Sequence, residues 1–491
     1  MNTIPLPPKH ILSKSTFMRG CQCPKSLWLH KHHPELKDEM TEQQARIFAQ
    51  GTSVGALARD LFPGGVDASP DTPYDYQQSV VQTAAYIAEG QTIIYEAAFQ
   101  YNGVLAALDI LVKHRGRWIG YEVKSSTSVK EPFIQDAALQ YYVITNAGIE
   151  LHDLYIVYIN NQYVRNGDLQ LDQLFTRASL KKEVVEQQPF IAQQVEELKN
   201  ICALSCMPAT TPGPHCDKPY TCDFYGHCWK DLQENYVIEK ECINKPELRK
   251  FIDRLEYPLY FMDFETYMLP VPEYDGHWPY RQVPFQFSVH RQACPNAPLE
   301  HLEYLAPTPG VEDSRQLKND DLKESEIPNS KFQIQNFQSQ IPPDPCKEFI
   351  EKLLAVIGDT GSIIVYNQTF ELTRLRELKE DYPAFASRIS NLESRIIDLM
   401  VPFRCKHLYL PAMNGSYSIK AVLPALVPEM SYEDLDINNG GDAGPAFYNL
   451  RNETDEQKIS ETREALLNYC GMDTMAMVKV LKIIQEMSGK R

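Results

Sequence analysis

Two groups of carboxylates, one in each half of the chain, have the spacing of metal ligands. In the first half, Asp109 lies in an apolar β-type run, and Glu122 and Lys124 lie in the run that follows. Alternate residues of a strand point to one face, so Glu122 and Lys124 are predicted to project together, and a hairpin would bring Asp109 beside them. Two such carboxylates can hold Mg²⁺ or Mn²⁺, while the lysine orients or activates water. Glu96 is a candidate third carboxylate, and Gln140 is a polar group on the next helical segment.

The second group is spread over the second half of the chain. Asp263 and Glu265 end an apolar strand with one residue between them, so both point to one face and can share a cation. Tyr469 and Asp473 are four residues apart in a helical pattern, which also places them on one face. Between these two motifs, Glu371 follows a predicted strand-to-helix turn.

Cysteines form a third pattern. The chain has 12 of them, and Cys216, Cys222 and Cys228 are evenly spaced in a proline-rich stretch. Thiols stay reduced in the cytosol, so we expect a metal or cluster site here and not disulfides. Zinc and an iron–sulfur cluster both accept four thiolates, and the adjacent His215 and His227 keep zinc open.

The length of 491 residues predicts more than one domain. Residues 1–235 form the first predicted domain, 236–255 a helical connector and 256–491 the second domain. Within the second domain, 307–343 is polar and is predicted to be a mobile insertion. Alternation of helical and β-type patterns in both halves predicts an α/β fold.

The predicted elements can be given by range. In the first domain the helices are 41–61, 76–88 and 132–147, and the strands are 92–99, 104–113, 117–124 and 153–159. In the second domain the strands 259–265, 285–291 and 299–305 form a meander, followed by helix 345–356, strand 362–366, helix 370–381 and a long helix 461–487.

Composition and charge restrict the class of protein. Hydrophobic residues make up 43% and charged residues 23%, as in a soluble globular protein. No segment has the ~20 apolar residues of a membrane helix, and the first 15 residues lack a signal-peptide run, so a cytoplasmic protein without a membrane partner is expected. The formal charge of −17 argues against a protein that coats nucleic acid, but a nuclease can combine a local basic groove with an acidic whole.

The motifs of the first half resemble the PD-(D/E)XK nucleases of the RecB type, most of all the CRISPR-associated RecB-like exonucleases. The motifs that carry the resemblance are Cys23-Pro-Lys-Ser-Leu-Trp-Leu29, Glu96, Asp109, Glu122-Val-Lys124 and Gln140-Tyr-Tyr142. The resemblance implies that Asp109 and Glu122 are metal ligands, that Lys124 is the catalytic lysine and that Gln140 supports them. These enzymes often carry a histidine where this chain has Gly55.

The same resemblance favours an iron–sulfur cluster. It implies that Cys23, in its Cys-Pro-x-x-Leu-Trp context, joins Cys216, Cys222 and Cys228 around a [4Fe–4S] cluster with a structural role. Cys21 is the main rival to Cys23. Zinc remains the alternative.

The second half resembles the DEDD exonucleases of the ribonuclease-H-like fold, in the subclass that has a tyrosine in the third motif. The resemblance implies that Asp263, Glu265 and Asp473 bind two divalent cations and that Tyr469 orients water. Glu371 stands where the family has aspartate.

Nearly the whole chain resembles an uncharacterised bacterial family that fuses a RecB-like half to this C-terminal domain. Asp398 matches a position behind the site, and Lys420 is either a phosphate contact or a solvated lysine. The expected function is a metal-dependent exonuclease acting on DNA, 3′–5′ in its second domain, in repair, recombination or defence. The alternatives are an RNA exonuclease and a nucleic-acid-binding scaffold with degenerate sites.

Overall fold

The computed structural model describes residues 6–40, 42–72, 75–230, 240–308, 343–433 and 435–489. Contacts divide the chain into two units, Met1–Tyr236 with Pro270–Tyr280 and Val237–Leu269 with Arg281–Arg491. Both units mix helices and strands, which confirms the predicted α/β class. Most of the predicted insertion 307–343 lies outside the described residues. Among the described helices, none combines the length and apolar character needed to cross a membrane.

The first unit is built on a mixed sheet. Its strands are β1 (Leu12–Ser13), β2 (Val66–Asp67), β3 (Ile93–Tyr101), β4 (Val104–His114), β5 (Arg117–Lys124), β6 (Leu151–Ile159) and β7 (Phe175–Ser179). The order is β2-β3-β4-β5-β6-β7, with β1 beside the start of β4. Strands β3, β4 and β5 are antiparallel neighbours, whereas β5 and β6 are parallel. A parallel pair needs a crossover, and the chain supplies a helix there.

The described helices of this unit pack in three apolar clusters, two of which include residues of the sheet. They are α1 (Lys14–Gln22), α2 (Pro24–His32), α3 (Glu42–Arg59), α4 (Tyr76–Ala88), α5 (Glu131–Asn146), α6 (Leu171–Leu174), α7 (Lys181–Glu186), α8 (Gln188–Ala203) and α9 (Tyr225–Trp229). Leu139 of α5 and Val195 of α8 are buried in one cluster with Leu108 of β4. Val54 of α3 is buried in another, with Ile110. The sheet therefore has apolar cover from separate helices.

The second unit has a different sheet. Its strands are β8 (Cys242–Ile243), β9 (Leu259–Met268), β10 (Gln282–Gln292), β11 (Leu299–Leu305), β12 (Ser362–Val365), β13 (Ile396–Asp398) and β14 (Leu408–Tyr409). The main sheet has the order β11-β10-β9-β12-β13, and β8 pairs with β14. Strands β9, β10 and β11 form the predicted antiparallel meander, while β12 runs parallel to β9 and to β13.

The last helix packs against strands β9, β10 and β11 of this sheet. The helices are α10 (Lys245–Ile252), α11 (Cys346–Val356), α12 (Gln368–Asp381), α13 (Ala386–Arg395), α14 (Val401–Arg404), α15 (Ile419–Leu426), α16 (Gly440–Asn449) and α17 (Glu456–Ser488). Helix α17 starts earlier than predicted because the Asp455 side chain caps its first amides. The predicted helical connector 236–255 needs correction, since within its described part only Lys245–Ile252 is α-helical and Cys242–Ile243 is a strand.

Candidate functional sites

Three neighbouring strands of the first unit bring its predicted carboxylates together. The register is set by the pairs Tyr95–Ile110, Ala97–Leu108 and Ile110–Tyr121. Glu96, Asp109 and Glu122 therefore occupy adjacent positions on β3, β4 and β5. Glu96 has a φ of 52°, a left-handed conformation that a non-glycine residue rarely adopts, and it interrupts the β3–β4 pairing. The predicted hairpin geometry around Asp109 is confirmed.

Around Glu122 the charges alternate in a closed ring. Glu122 Oε1 accepts hydrogen bonds from Lys14 Nζ at 2.6 Å and from Lys124 Nζ at 2.7 Å. Lys124 Nζ also donates to Asp136 Oδ2 at 2.7 Å, and Lys14 Nζ lies 3.6 Å from the same oxygen. Gln140 is fully buried and donates to Asp136 Oδ1 at 3.3 Å, so it contacts the ring through Asp136.

Two of these residues, Asp136 and Lys14, were not predicted. Asp136 is one helical turn before the predicted Gln140 in α5, and that spacing was an available signal for it. Lys14 is separated from Glu122 by 108 positions, and no local pattern marks it.

The two carboxylates of the predicted metal site have pKa values that are shifted in opposite directions. Burial, with the negative charge of Glu122, raises the pKa of Asp109 to about 8. Burial alone would raise the pKa of Glu122 too, but the ammonium groups of Lys124 and Lys14 hold it well below its usual value. Asp109 Oδ2 accepts the Val123 amide at 2.6 Å. Glu122 Oε2 is buried and has no hydrogen-bond partner, so it offers an unused anionic ligand atom beside Asp109.

Glu96 is engaged by a cation. Arg59 of α3 donates to Glu96 Oε1 at 3.2 Å and to Asp67 Oδ2 at 2.6 Å. Burial raises the pKa of Glu96 although Arg59 opposes the shift. One turn before Arg59, a Cβ on Gly55 would meet no atom within 4 Å, so there is room for a side chain where the resembled enzymes have histidine.

The four predicted cysteines line one cavity of the first unit. Cys23, Cys216, Cys222 and Cys228 surround it together with His215 and Phe224, among others. Cys23 and Cys216 are buried, and Cys23 is the N-cap residue of α2, where the backbone amides of Lys25 and Ser26 partly oppose the rise in its pKa. Burial raises the pKa of Cys23 and of Cys228, and the neighbouring sulfurs of Cys216 and Cys222 add to it. Among the described residues, no three cysteine sulfurs lie within 4.8 Å of one another.

Polar contacts hold the two sequence ends of this cavity together. Arg19 forms a bidentate ion pair with Asp223, in which Nη1 donates to Oδ1 and Nη2 donates to Oδ2 at 2.9 Å. The Gln22 amide donates to the carbonyls of His215 and Tyr220 at 2.8 and 2.7 Å. These contacts join the residues near position 20 to those near position 220.

The rival cysteines lie elsewhere. Cys21 packs against the main apolar cluster, where burial raises its pKa to about 11, and Cys202 packs against the same cluster. Cys21 is not among the residues lining the cavity. The geometry brings Cys23 to the other three cysteines, as the resemblance implied.

In the second unit, β9 and α17 bring together the second group. One ligand atom each from Asp263, Glu265 and Cys470 lie within 4.8 Å of one another. Cys470 Sγ is 3.9 Å from Asp263 Oδ2 and from the Asp263 carbonyl oxygen. A Cβ on Gly440, the first residue of α16, would lie 3.6 Å from Glu265 Oε2 and 3.8 Å from Tyr469 Oη. Helix α16 therefore begins directly beside this group.

A strand-to-helix turn carries Glu371 to the same group. Asn367, with a φ of 74°, ends the turn between β12 and α12. Asp398 of β13 accepts the Asn367 amide at 3.1 Å and the Met400 amide at 2.9 Å, so it supports the turn from behind. Glu371 is 1% exposed, and its Oε2 has no hydrogen-bond partner. The glutamate thus remains available as a ligand despite replacing the expected aspartate.

Two phenols and one ammonium complete the second group. Tyr432 Oη donates to Asp473 Oδ1 at 2.6 Å, and Tyr469 also hydrogen-bonds Asp473. Lys420 Nζ lies 5.5 and 5.3 Å from the ring centres of Tyr432 and Tyr469 and donates to the Asn438 carbonyl at 2.5 Å. Tyr432 was not predicted, because it stands 41 residues before Asp473 in a loop without a recognisable motif.

The buried carboxylates of this group repel one another. Burial and the charges of Asp473 and Glu265 raise the pKa of Asp263 well above its usual value. Burial and Asp473 do the same for Glu265. Burial raises the pKa of Glu371 to about 8, and it raises that of Asp473 to about 6 although Tyr432 and Lys420 oppose the shift. A divalent cation bound among these carboxylates would offset their mutual repulsion.

The match to a family model falls mainly on the second unit. A family model described as "Domain of unknown function (DUF2779)" matches residues 260–418. The matched segment includes Asp263, Glu265 and Glu371 and ends before Tyr469 and Asp473.

Similar proteins share only part of their length with this chain. Identity is 28% over 147 residues with Uncharacterized protein UU173 of Ureaplasma parvum serovar 3, covering 26% of this chain and 21% of that protein. It is 28% over 152 residues with the Uncharacterized protein MG366 homolog of Mycoplasma pneumoniae, covering 28% and 23%. The chain spans about a fifth of the length of these curated relatives. A solved structure described as "Crystal structure of SSO0001" is 12% identical and covers 42% of this chain and 82% of its own, with a TM-score of 0.23, which is too low to carry an argument about fold.

Proposed function

We propose that this chain is a metal-dependent nuclease that hydrolyses phosphodiester bonds of DNA at two separate sites. The observation that carries the proposal is the state of Glu122, buried with one oxygen bound by two lysines and the other without a partner beside Asp109. A carboxylate that is kept ionised in this way suits a hard divalent cation. The second group, with its mutually repelling buried carboxylates, supports the same chemistry independently.

The sheets support the finer fold proposals. An antiparallel hairpin that carries Asp109 and Glu122-x-Lys124, followed by a helix with Gln140, suits a PD-(D/E)XK domain. The antiparallel strands β9, β10 and β11 are followed by β12 and β13, which add to the sheet beside β9 in parallel orientation. This arrangement suits a ribonuclease-H-like DEDD domain. We therefore propose these two folds for the first and second units.

In the first site, Asp109 and Glu122 would hold Mg²⁺ or Mn²⁺. Lys124 is held between Glu122 and Asp136, which fixes its ammonium group next to the ligand oxygens. We propose that this group orients the attacking water and balances the charge of the phosphate. Gln140 keeps Asp136 in place.

In the second site, four carboxylates would hold two cations, and they are Asp263, Glu265, Glu371 and Asp473. Divalent cations held in this way lower the pKa of water and stabilise the charge on the phosphate and the leaving oxygen. The Tyr469 hydroxyl and Glu265 Oε2 both lie within 4 Å of the position of a Cβ on Gly440, and we propose that this hydroxyl orients the attacking water. Tyr432 fixes the Asp473 carboxylate through its hydrogen bond.

The cysteine cavity suits a cluster better than a single zinc ion. A tetrahedral zinc site, with Zn–S distances of about 2.3 Å, brings its sulfurs within roughly 3.8 Å of one another. No three of the described cysteine sulfurs lie within 4.8 Å of one another, which favours the larger [4Fe–4S] cluster. Iron and labile sulfide assays on anaerobically purified protein test this, with Cys216→Ser expected to lose the cluster and Cys21→Ser to keep it. Stoichiometric zinc without iron would overturn it.

The test of the nuclease proposal uses 5′- and 3′-labelled single- and double-stranded DNA and RNA with Mn²⁺. Glu122→Gln and Asp263→Asn are each expected to remove one distinct activity, and the double variant both. Exposed carboxylates provide matched controls, Glu150→Gln in the first unit and Glu380→Gln in the second.

The RNA and scaffold alternatives are outcomes of this same assay. Preference for RNA over DNA would transfer the proposal to RNA. Binding of either nucleic acid without cleavage would favour the scaffold, for which the residues Gly55 and Glu371 are the motivation.

A further inference from the structure

Helix α1 connects the first carboxylate site with the cysteine cavity. Its first residue, Lys14, donates to Glu122 Oε1 at 2.6 Å, and its C-cap is Cys23, which lines the cavity. Nine residues of α-helix span about 14 Å, so one short rigid element separates these two contacts.

Both ends of this helix are fixed. At its start, Ser13 caps α1 in a capping box with Thr16, and β1 pairs with β4 through Leu12 and Val104. Strand β4 carries Asp109, so this pairing places Lys14 near the carboxylates. At the other end, the contacts of Arg19 with Asp223 and of Gln22 with two carbonyls bind α1 to the loop of the C-terminal cysteines.

The contact made by Lys14 has a specific consequence for Glu122. Lys14 and Lys124 both bind Oε1, and this leaves Oε2 buried and without a partner. Without Lys14 the carboxylate could rotate and share its two oxygens differently between Lys124 and a cation.

We propose that Lys14 is a second active-site lysine that positions Glu122, and that α1 carries the structural influence of the cysteine centre to it. This inference rests on the proposed function of the first site. According to this inference, the cysteine centre helps to hold the catalytic residues in position and also stabilises the domain.

The first test compares Lys14→Met, which keeps the length of the side chain, with Lys14→Arg, which keeps its charge. For Lys14→Met we expect the kcat of the Glu122-dependent activity to fall about 10- to 100-fold, as is usual for residues that orient a metal ligand, with little change in KM. Lys14→Arg restores part of the kcat. Lys9→Met, at an exposed lysine nearby, is the control and leaves both values unchanged.

Mn²⁺ titration calorimetry provides a readout that needs no turnover. Lys14→Met is expected to tighten Mn²⁺ binding severalfold, because it removes one cationic charge from Glu122. A purely structural lysine would instead weaken Mn²⁺ binding and lower the melting temperature together. That result, or an unchanged kcat and Mn²⁺ affinity, would overturn the role of Lys14.

The link through α1 is tested by combining Lys14→Met with Cys216→Ser. In the wild-type background, Cys216→Ser is expected to lower the Glu122-dependent kcat. In the Lys14→Met background, Cys216→Ser is expected to lower kcat further by less than about twofold, because both changes act through one contact. Fully multiplicative losses would overturn the link. If wild-type protein cleaves nothing, or Glu122→Gln keeps the activity, the proposed function fails, and the Mn²⁺ titration still decides the role of Lys14.

Discussion

The two carboxylate groups differ in how their negative charge is balanced. In the first unit, Glu122 and Asp136 alternate with Lys14 and Lys124 in a ring of short contacts. In the second unit, the positive charges near the four grouped carboxylates are engaged elsewhere: Lys420 donates its hydrogen bond to a carbonyl, and Arg374, near Glu371, is paired with Glu377. The first group is thus largely neutralised by the protein itself, and the second is neutralised much less.

This difference shows which state each site adopts without a cation. Glu122 stays ionised because the lysines hold its pKa down. Burial and mutual repulsion raise the pKa values of Asp263, Glu265 and Glu371, so these carboxyl groups hold protons more tightly than free ones, and a divalent cation must compete with those protons. Stability of the first unit should therefore depend on its lysines, and that of the second on pH and divalent cations.

The largest effect is expected for Lys124→Met compared with Lys420→Met. Removing Lys124 leaves Glu122 and Asp136 buried without their main partner, which should lower the free energy of unfolding by about 3–5 kcal/mol. Removing the half-buried Lys420 should change it by less than about 1 kcal/mol, because its carboxylate neighbours take up protons instead.

Tryptophan fluorescence can measure this contrast for one unit alone. All four tryptophans, Trp28, Trp118, Trp229 and Trp278, belong to the first unit. Urea unfolding followed by fluorescence should shift for Lys124→Met and stay unchanged for Lys420→Met. Equal shifts for the two variants would contradict the difference between the sites.

Next in size is the pH dependence of the second unit. The folded pKa of Glu371 is raised to about 8 from an ordinary 4.5, so its contribution to stability is complete below about pH 4.5 and is lost as the pH rises through 8. Metal-free protein should therefore melt at a lower temperature at pH 8 than at pH 5. Glu371→Gln should raise the free energy of unfolding at pH 8 by about 1–3 kcal/mol, because no charge is then buried.

Calorimetry with and without Mg²⁺ checks this result. Mg²⁺ should stabilise the wild type at pH 8 and have less effect on Glu371→Gln, whereas Glu380→Gln, at an exposed position, should behave as wild type. If Glu371→Gln destabilised the metal-free protein at pH 8, the carboxylate would be ionised and satisfied, and the two sites would not differ as described.

Local sequence patterns were sufficient for many of the regular elements, but not for all of them and not for the partners of the site. The structure has Tyr76–Ala88, Arg117–Lys124 and Leu299–Leu305 with the bounds that were predicted, because their apolar periodicity is clear. Helices α1 and α2 were not predicted. They are only nine residues each, and α2 is buried over four consecutive residues, which gives no amphipathic period.

Residues that complete the sites come from distant parts of the sequence. Lys14 and Tyr432 meet their carboxylates only through the fold, as contacts across 108 and 41 positions. The predicted site residues are brought into three groups, since the motifs sit on adjacent strands or on one helix face. Their catalytic and ligand roles stay predictions until the assays are done.

A smaller effect is expected for Tyr432→Phe. This change removes the hydrogen bond to Asp473 Oδ1 and leaves the aromatic ring in place, so stability should fall by about 1 kcal/mol. The Asp263-dependent activity should fall about tenfold because Asp473 loses its orientation. Tyr366→Phe, whose hydroxyl bonds the Tyr417 carbonyl, is the control that loses a hydroxyl without touching Asp473. Equal kcat losses in both variants would remove Tyr432 from the second site.

The smallest effect concerns Gly55. Gly51, Gly55 and Arg59 share one face of α3. A Cβ on Gly51 would lie 4.0 Å from Ser125 Oγ, a Cβ on Gly55 would meet no atom within 4 Å, and Arg59 donates to Glu96. A side chain at position 55 therefore lies between the end of β5 and Glu96, and Gly55→His should tighten Mn²⁺ binding by the first site about threefold, or roughly 0.7 kcal/mol. Gly55→Ala separates this from the gain of a few tenths of a kcal/mol in helix propensity. If both variants bind Mn²⁺ equally, the imidazole does not reach the cation, and position 55 of α3 would supply no ligand to that site.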